Sequence, residues 1–195
     1  MRKLKTAAIA LAAAALLSVF TACTPKASSS SSDSRSNKSN QEGLASSEIQ
    51  VSMAQEANEN KTGFTLNSVI DSGNKTDDNK HFVYLNATIT NNTNEDFHLS
   101  MLNNFYILFP DSTEAHYDIR TQIYAQNNFS NYTSSPMDIP ANSTFTGYIG
   151  GFLVPESATD FTVCFFPTLN DNNKDVVIKC PVKAVDMIAP PSDLK

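Results

Sequence analysis

The side chains best suited to chemistry are three cysteines and three histidines, in a chain that also holds 20 carboxylates and 14 Lys or Arg. Cys23 stands alone at the end of an apolar run, whereas Cys164 and Cys180 lie in two later strand-like runs. An even pair of cysteines in an exported chain reads as a disulfide. Two buried free thiols fit the same pattern, and metal or redox chemistry would usually bring closer spacing or an added histidine. His81, His98 and His116 lie far apart, at strand starts or beside turns, where solvated rings are the plainer expectation than a metal site. The run "DNNKD" at 171–175 has the alternating oxygens that open a calcium loop, but it lacks the sixth-position glycine and the closing glutamate. It therefore reads as a hairpin turn. The chain contains no nucleophile elbow, phosphate-cradling glycine loop or metalloprotease helix motif. No catalytic residue, metal ligand or cofactor is assigned, and an enzyme is not expected.

The formal net charge is -6, and it becomes more negative when Arg2, Lys3 and Lys5 leave with the N-terminal segment. An acidic chain lacks the clustered Lys and Arg that nucleic-acid phosphates require. It also lacks the positive charge that would hold its surface to anionic lipid headgroups. Attachment to a membrane must then come from outside the domain surface.

Residues 1–22 have the layout of a secretory signal, with "MRKLK" as basic region, "TAAIALAAAALLSVF" as apolar region and "TA" before a cleavage point. The apolar run is about 15 residues, short of the roughly 20 that a spanning helix needs. The tetrapeptide "FTAC", ending in Cys23, resembles a bacterial lipobox. That resemblance implies cleavage before Cys23, a diacylglyceryl thioether on its sulfur and acylation of the new N-terminus. Each buried lipid CH₂ is worth about 0.8 kcal/mol, and two or more chains anchor a protein where one is marginal. The expected location is the bacterial cell envelope, outside the cytoplasm and held to the membrane through Cys23.

After Cys23 comes "TPKASSSSSDSRSNKSNQ", with no large apolar residue to offset the entropy of ordering. Residues 23–61 are expected to be the lipid attachment site and a flexible tether, whose length corresponds to a reach of about 34 Å. Within it, Ser47 and Gln50 fit a helix capping box while "IQVSM" alternates like a strand, and the expectation is a short helix or disorder.

Residues 62–189 break into short apolar runs separated by Asn, Asp, Ser, Gly and Pro clusters, which predicts an all-β, antiparallel β-sandwich followed by a tail at 190–195. Strands are expected at 63–70, 81–92, 97–101, 105–109, 143–154, 160–166 and 175–185, with a short edge strand near 115–119. Val83, Leu85, Ala87 and Ile89 should face the core. Gly150 and Gly151 predict a bulge or a close backbone approach. The last two strands form a hairpin across 167–174, and a centre at residue 172 would set Cys164 opposite Cys180. That register would send Phe161, Val163 and Phe165 to the side of Lys179 and Lys183.

Residues 121–138 are expected to be a long polar loop carrying Tyr124, Phe129 and Tyr132. These rings form a candidate contact loop, in which rigid aromatics supply area at small entropic cost. The preferred alternative has them pin the loop to the sandwich. The Asn-x-Ser/Thr triplets at Asn86, Asn91, Asn128, Asn131 and Asn142 read as turns, not glycan sites.

The segments "FVYLNATITNNTNEDFHLS", "FYILFPDSTEAH" and "IPANSTFTGYIGGFLVP", with Asn91, Asn92, Pro140 and Val154 before Pro155, resemble a telokin-like, immunoglobulin-like domain of uncharacterised bacterial lipoproteins. The resemblance implies an extracellular sandwich and supplies no catalytic residues. The leading expectation is a lipid-anchored, non-catalytic domain that binds another envelope or extracellular macromolecule. The alternative is a small-ligand or metal-binding lipoprotein serving a transporter, which requires a concave apolar pocket with converging polar groups.

Overall fold

The computed structural model describes residues 47–167 and 175–195. The signal segment, Cys23, the Ser-rich stretch and the turn at 168–174 lie outside the described residues.

Alternation of apolar and polar residues sets the architecture. In β4 (Lys80–Asn91), Val83, Leu85, Ala87 and Ile89 are fully buried, while Asn86, Thr88 and Thr90 lie on the opposite face. β4 sits inside a four-stranded sheet ordered β2 (Ala57–Glu59), β3 (Thr62–Lys75), β4 and β9 (Ser143–Pro155), all antiparallel. A five-stranded sheet runs β1 (Ser47–Gln50), β11 (Val176–Lys183), β10 (Asp160–Phe165), β6 (Phe105–Leu108) and β7 (Glu114–Ala115). β5 (Phe97–Leu99) and β8 (Met137–Ile139) make a separate two-stranded ribbon. A helical turn, α1 (Met101–Asn104), leads into β6, and α2 spans Ile119–Asn128.

The two large sheets face each other across one apolar layer. Phe64 of β3 stacks on Phe165 of β10 at 4.6 Å between ring centroids, and Phe105 of β6 lies 4.8 Å from Phe165. Val69, Val83, Leu85, Ile149 and Phe152 come from one sheet and Ile107, Phe161, Val163, Ile178 and Val182 from the other. Burying a side chain of this size contributes roughly 1.5–3 kcal/mol. The expected β-sandwich is the fold observed.

Four expectations change. Residues 47–59, assigned to the tether, belong to the sandwich: β1 pairs parallel with β11 from Ser47↔Val176 to Gln50↔Lys179, and β2 pairs with β3. Residues 121–128 of the expected loop, with Ile119 from the expected edge strand, form a helix, α2. The tail at 190–195 packs onto the domain through Leu194, which is fully buried, just after Ile188 bridges to Ile70. Finally, the register of the last two strands is one residue away from that expected. Phe161 faces Val182, Val163 faces Cys180 and Phe165 faces Ile178, so all three β10 side chains enter the core. Cys164 lies opposite Lys179.

Candidate functional site

The outer face of the four-stranded sheet carries the most elaborate arrangement. Phe82, Tyr84 and Tyr148 project from β4 and β9, and α2 lies across them. Asp118 starts the helix by accepting the Arg120 amide at 2.9 Å, a standard N-cap. The Arg120 guanidinium also bonds its carboxylate, which holds Asp118 below the usual carboxylate range.

Thr121 is the hinge of this contact. Its hydroxyl donates to Asp118 O at 2.6 Å and accepts the Gly151 amide at 3.1 Å, while its carbonyl accepts the Tyr84 hydroxyl at 2.7 Å. The Asp118 amide donates to Gly151 O at 3.1 Å. A helix of ten residues is therefore bolted to the bulge in β9 by hydrogen bonds at its first turn.

The structure brings Tyr124, Phe129 and Tyr132 together but turns them inward. Tyr84 meets Phe129 edge-on at 5.4 Å and Tyr132 at 5.9 Å, and Phe82 meets Tyr124 at 5.5 Å. Tyr132 donates its hydroxyl to Gly150 O. Burial pushes the Tyr84 and Tyr132 phenols upward, so both remain protonated donors across the physiological range. The pinning alternative describes these rings; the contact-loop expectation does not. The outward side of α2 instead exposes Ile119 and Ile123, at 54% and 52%.

The C-terminus closes the arrangement. Leu194 packs into the same cluster, Ser130 donates to Leu194 O at 2.9 Å, and Tyr148 donates to Asp193 Oδ2 at 2.8 Å. Tyr84, Thr121, Asp193 and Leu194 carry no signal in the sequence that links them.

Cys164 and Cys180 are both free and buried. Because Cys180 lies opposite Val163, the neighbouring Cys164 points to the other face of the sheet. Cys180 sits in the core, whereas Cys164 packs with Phe166, Val177, Tyr106 and Leu108 on the outer side. The sheet separates the thiols, so the disulfide alternative is excluded by direction. Burial raises both from the ordinary 9.0 to about 11. At pH 8 the native protein should therefore resist iodoacetamide at both positions and react at both in urea, with no change in Tm on adding dithiothreitol. Labelling of native Cys164 or Cys180 at the rate of free thiols would contradict the packing. An acid held protonated by the fold contributes its stability in full below its unfolded pKa and loses it as pH rises toward the folded value. These thiols therefore weaken the fold between pH 9.0 and about 11.

Each histidine has its own carboxylate: His81 with Asp71 at 2.6 Å, His98 with Asp138 at 2.7 Å and His116 with Glu114 at 3.1 Å. The structure does not gather the rings. Among the described residues, no group of three or more His, Cys, Asp or Glu is placed to hold a metal ion. An open hollow of about 300 Å³ lies between Phe109, Asp111, Thr113 and Asp160, and another of about 260 Å³ lies beside Val51, Met53 and Pro181. Neither is lined by a histidine or a cysteine. No helix of the described residues is long and apolar enough to cross a membrane.

Sheet order and packing define a two-sheet β-sandwich roofed on one outer face by a helix. The chain belongs to the family described as "Domain of unknown function (DUF4352)", whose model matches residues 51–175. It is also similar to several solved structures. One is a Bacillus subtilis protein described as a candidate lipoprotein (ycdA), 13% identical over 67% of this chain and 39% of that one, with a TM-score of 0.48. A beta-sandwich protein from Clostridium difficile 630 is 11% identical over 72% of this chain and 98% of that one, with a TM-score of 0.43. The secreted protein MPT63 of Mycobacterium tuberculosis is 13% identical over 69% of this chain and 99% of that one, with a TM-score of 0.46. No curated protein matches the chain.

Proposed function

We propose that this chain is a lipid-anchored, non-catalytic immunoglobulin-like module of the bacterial cell envelope that binds another envelope or extracellular macromolecule. The observation that carries the reading is the order of parts: a signal-like segment, Cys23 in a lipobox-like "FTAC", a Ser-rich stretch, then a sandwich whose first described strand begins at Ser47. A flexible stretch as long as residues 24–46 reaches about 26 Å, enough to set a domain off a bilayer surface. A binding role is supported by α2, whose outer side leaves Ile119 and Ile123 half in water one helical turn apart.

One experiment tests both parts. Full-length protein carrying a photo-crosslinker at Ile123 is expressed on intact cells fed an alkyne fatty acid, with and without Cys23→Ala. The expected result is fatty-acid labelling and membrane retention that Cys23→Ala abolishes, together with a crosslinked adduct on the anchored protein. Unchanged labelling of Cys23→Ala would refute the anchor. Absence of any adduct from the anchored protein would count against a partner on α2.

A further inference from the structure

The two large sheets end in four edge strands, and three of them are short and carry an acidic residue. β1 is "SEIQ" with Glu48, β2 is "ANE" with Glu59 and β7 is "EA" with Glu114. Short length and charge are the usual devices that stop an edge from pairing with another chain. β9 differs: it runs from Ser143 to Pro155 without one charged residue.

Half of that edge is already covered. Thr133 donates to Tyr148 O at 2.8 Å, Tyr132 to Gly150 O and Asp118 to Gly151 O, and Tyr117 bridges to Phe152. Tyr148 O therefore points away from β4. Backbone groups alternate in direction along a strand, so the N–H and C=O of Thr146 and Thr144 point the same way. No hydrogen bond from another described segment reaches them. The open stretch, "STFTG" at 143–147, is unbulged and rich in β-forming residues, and Thr144 and Thr146 are exposed. Asn142 before it is in the left-handed region (φ 52°), which turns the preceding chain out of the strand direction.

The pattern Thr-Phe-Thr is symmetric about Phe145. The geometry points to a second copy of this chain as the occupant of this edge, with two β9 strands pairing antiparallel about a two-fold axis at Phe145. In that register Thr144 lies opposite the partner's Thr146 and Thr146 opposite its Thr144, giving four backbone hydrogen bonds from the four outward groups of each copy. The two Phe145 residues form the central non-hydrogen-bonded pair, each ring staying packed on its own core and over Gly147. The cross-strand hydroxyl contacts Thr88–Thr146, at 3.0 Å, and Thr90–Thr144, at 3.1 Å, would continue across the axis as one Thr ladder. The match is self-complementary, as an isologous interface requires. It goes beyond the proposed function, because it names a partner and a face distinct from α2.

The test uses purified full-length protein in detergent, so it does not depend on lipid attachment. At concentrations up to about 1 mM, the range that tethering on a common surface imposes, sedimentation should show a reversible monomer–dimer equilibrium. Thr146→Lys, on an exposed position, and Thr146→Pro, whose lost N–H makes no ladder bond to β4, should each shift dimerisation at least tenfold without loss of fold. In a Cys23→Ala background, where the two remaining native thiols are buried, mild oxidation should link the Thr144→Cys/Thr146→Cys double variant into a disulfide dimer and neither single variant, since among these positions only the 144–146 pair lies within about 7 Å. A protein that is monomeric throughout, or a dimer indifferent to both Thr146 variants, overturns the proposal. Crosslinking by a single variant overturns the register and with it the two-fold pairing.

Discussion

Asn91→Ala should lower the stability of the domain by about 3–4 kcal/mol, because it removes a buried side chain that serves five polar groups. Asn91 is fully buried at the end of β4. Its Nδ2 lies 2.7 Å from Glu95 O, 3.0 Å from Ile139 O and 3.2 Å from Pro140 O, so its two N–H groups serve three carbonyls with one shared between two. Its Oδ1 accepts the Thr93 amide at 3.0 Å and the Thr93 hydroxyl at 2.7 Å. One amide thus holds the 91–96 turn against the strand that precedes β9. Truncation takes the donor from the buried Ile139 carbonyl and removes the part-buried contacts to Thr93, Glu95 and Pro140, and a buried polar group left unpaired costs roughly 1–3 kcal/mol. Against a typical net stability of about 5–15 kcal/mol this is a large fraction. Urea unfolding should show a lower midpoint at an unchanged m-value. Asn91→Asp keeps the Thr93 contacts but turns a carboxylate oxygen toward the carbonyls. Its folded pKa should rise above the ordinary value of about 3.9. Its stability should therefore fall as pH rises from about 4, and acid should restore part of it. A loss below about 1 kcal/mol for Asn91→Ala would mean that water fills the site, and the hydrogen-bond argument would fail.

Asn91 also shows what kind of information the sequence held. As part of an Asn-Asn-Thr triplet it reads as a turn, whereas Asn91 is the last residue of β4 and the bend follows it at 93–95, and nothing local reveals that its amide reaches Ile139 and Pro140. The same divide runs through the fold. β4 is legible because Val83, Leu85, Ala87 and Ile89 alternate cleanly over a buried face, and the doublet Gly150-Gly151 announces the bulge that β9 makes against Val83 and Tyr84. α2 is not legible by apolar periodicity, because its amphipathicity is inverted. The helix seats on aromatic rings supplied by the sheet, so its inner positions are Thr121 and Ala125 while Ile119 and Ile123 face water. The usable signal was Asp118, a capping residue ahead of ten residues without Gly or Pro. β1 escapes because it is short and its parallel partner lies more than a hundred residues away in sequence, at Val176 to Lys179. The cysteine register illustrates a subtler limit. The core position of Phe161, Val163 and Phe165 already argued against facing Cys164 with Cys180, and a shift of one residue satisfies all of them at once. The aromatic rings of the candidate site are legible by type, but their direction depends on Tyr84 and Phe82 of β4, which nothing local in the sequence links to residues 124–132.

Gly151→Ala should be the most damaging single-methyl change in the domain. A Cβ at Gly151 would lie 2.3 Å from Val83 O and 3.0 Å from a ring carbon of Tyr84. The first contact is with backbone inside the β4–β9 ladder, so no side-chain rotation relieves it, and overpacking of this kind costs about 1–3 kcal/mol or more. The damage should not stop at the ladder. The Gly151 amide and carbonyl hold Thr121 and Asp118, so displacing β9 from β4 also moves the two groups on which α2 starts. Gly150→Ala provides the contrast. There the conformation is the difficulty, with φ at 122°, while the space is ordinary, with no atom closer than 3.4 Å. Its cost should be that of backbone strain, about 1–3 kcal/mol, and should leave the helix contacts in place. Native-state hydrogen exchange separates the two, since it resolves local opening from global unfolding. Gly151→Ala should raise exchange at amides 118–133 well beyond its effect on β10 and β11, whereas Gly150→Ala should raise all of them together. Equal exchange profiles would show that the bulge does not carry α2. The helix would then have to be held by Tyr84, Phe129 and Tyr132 alone, through ring contacts that survive a shift of β9.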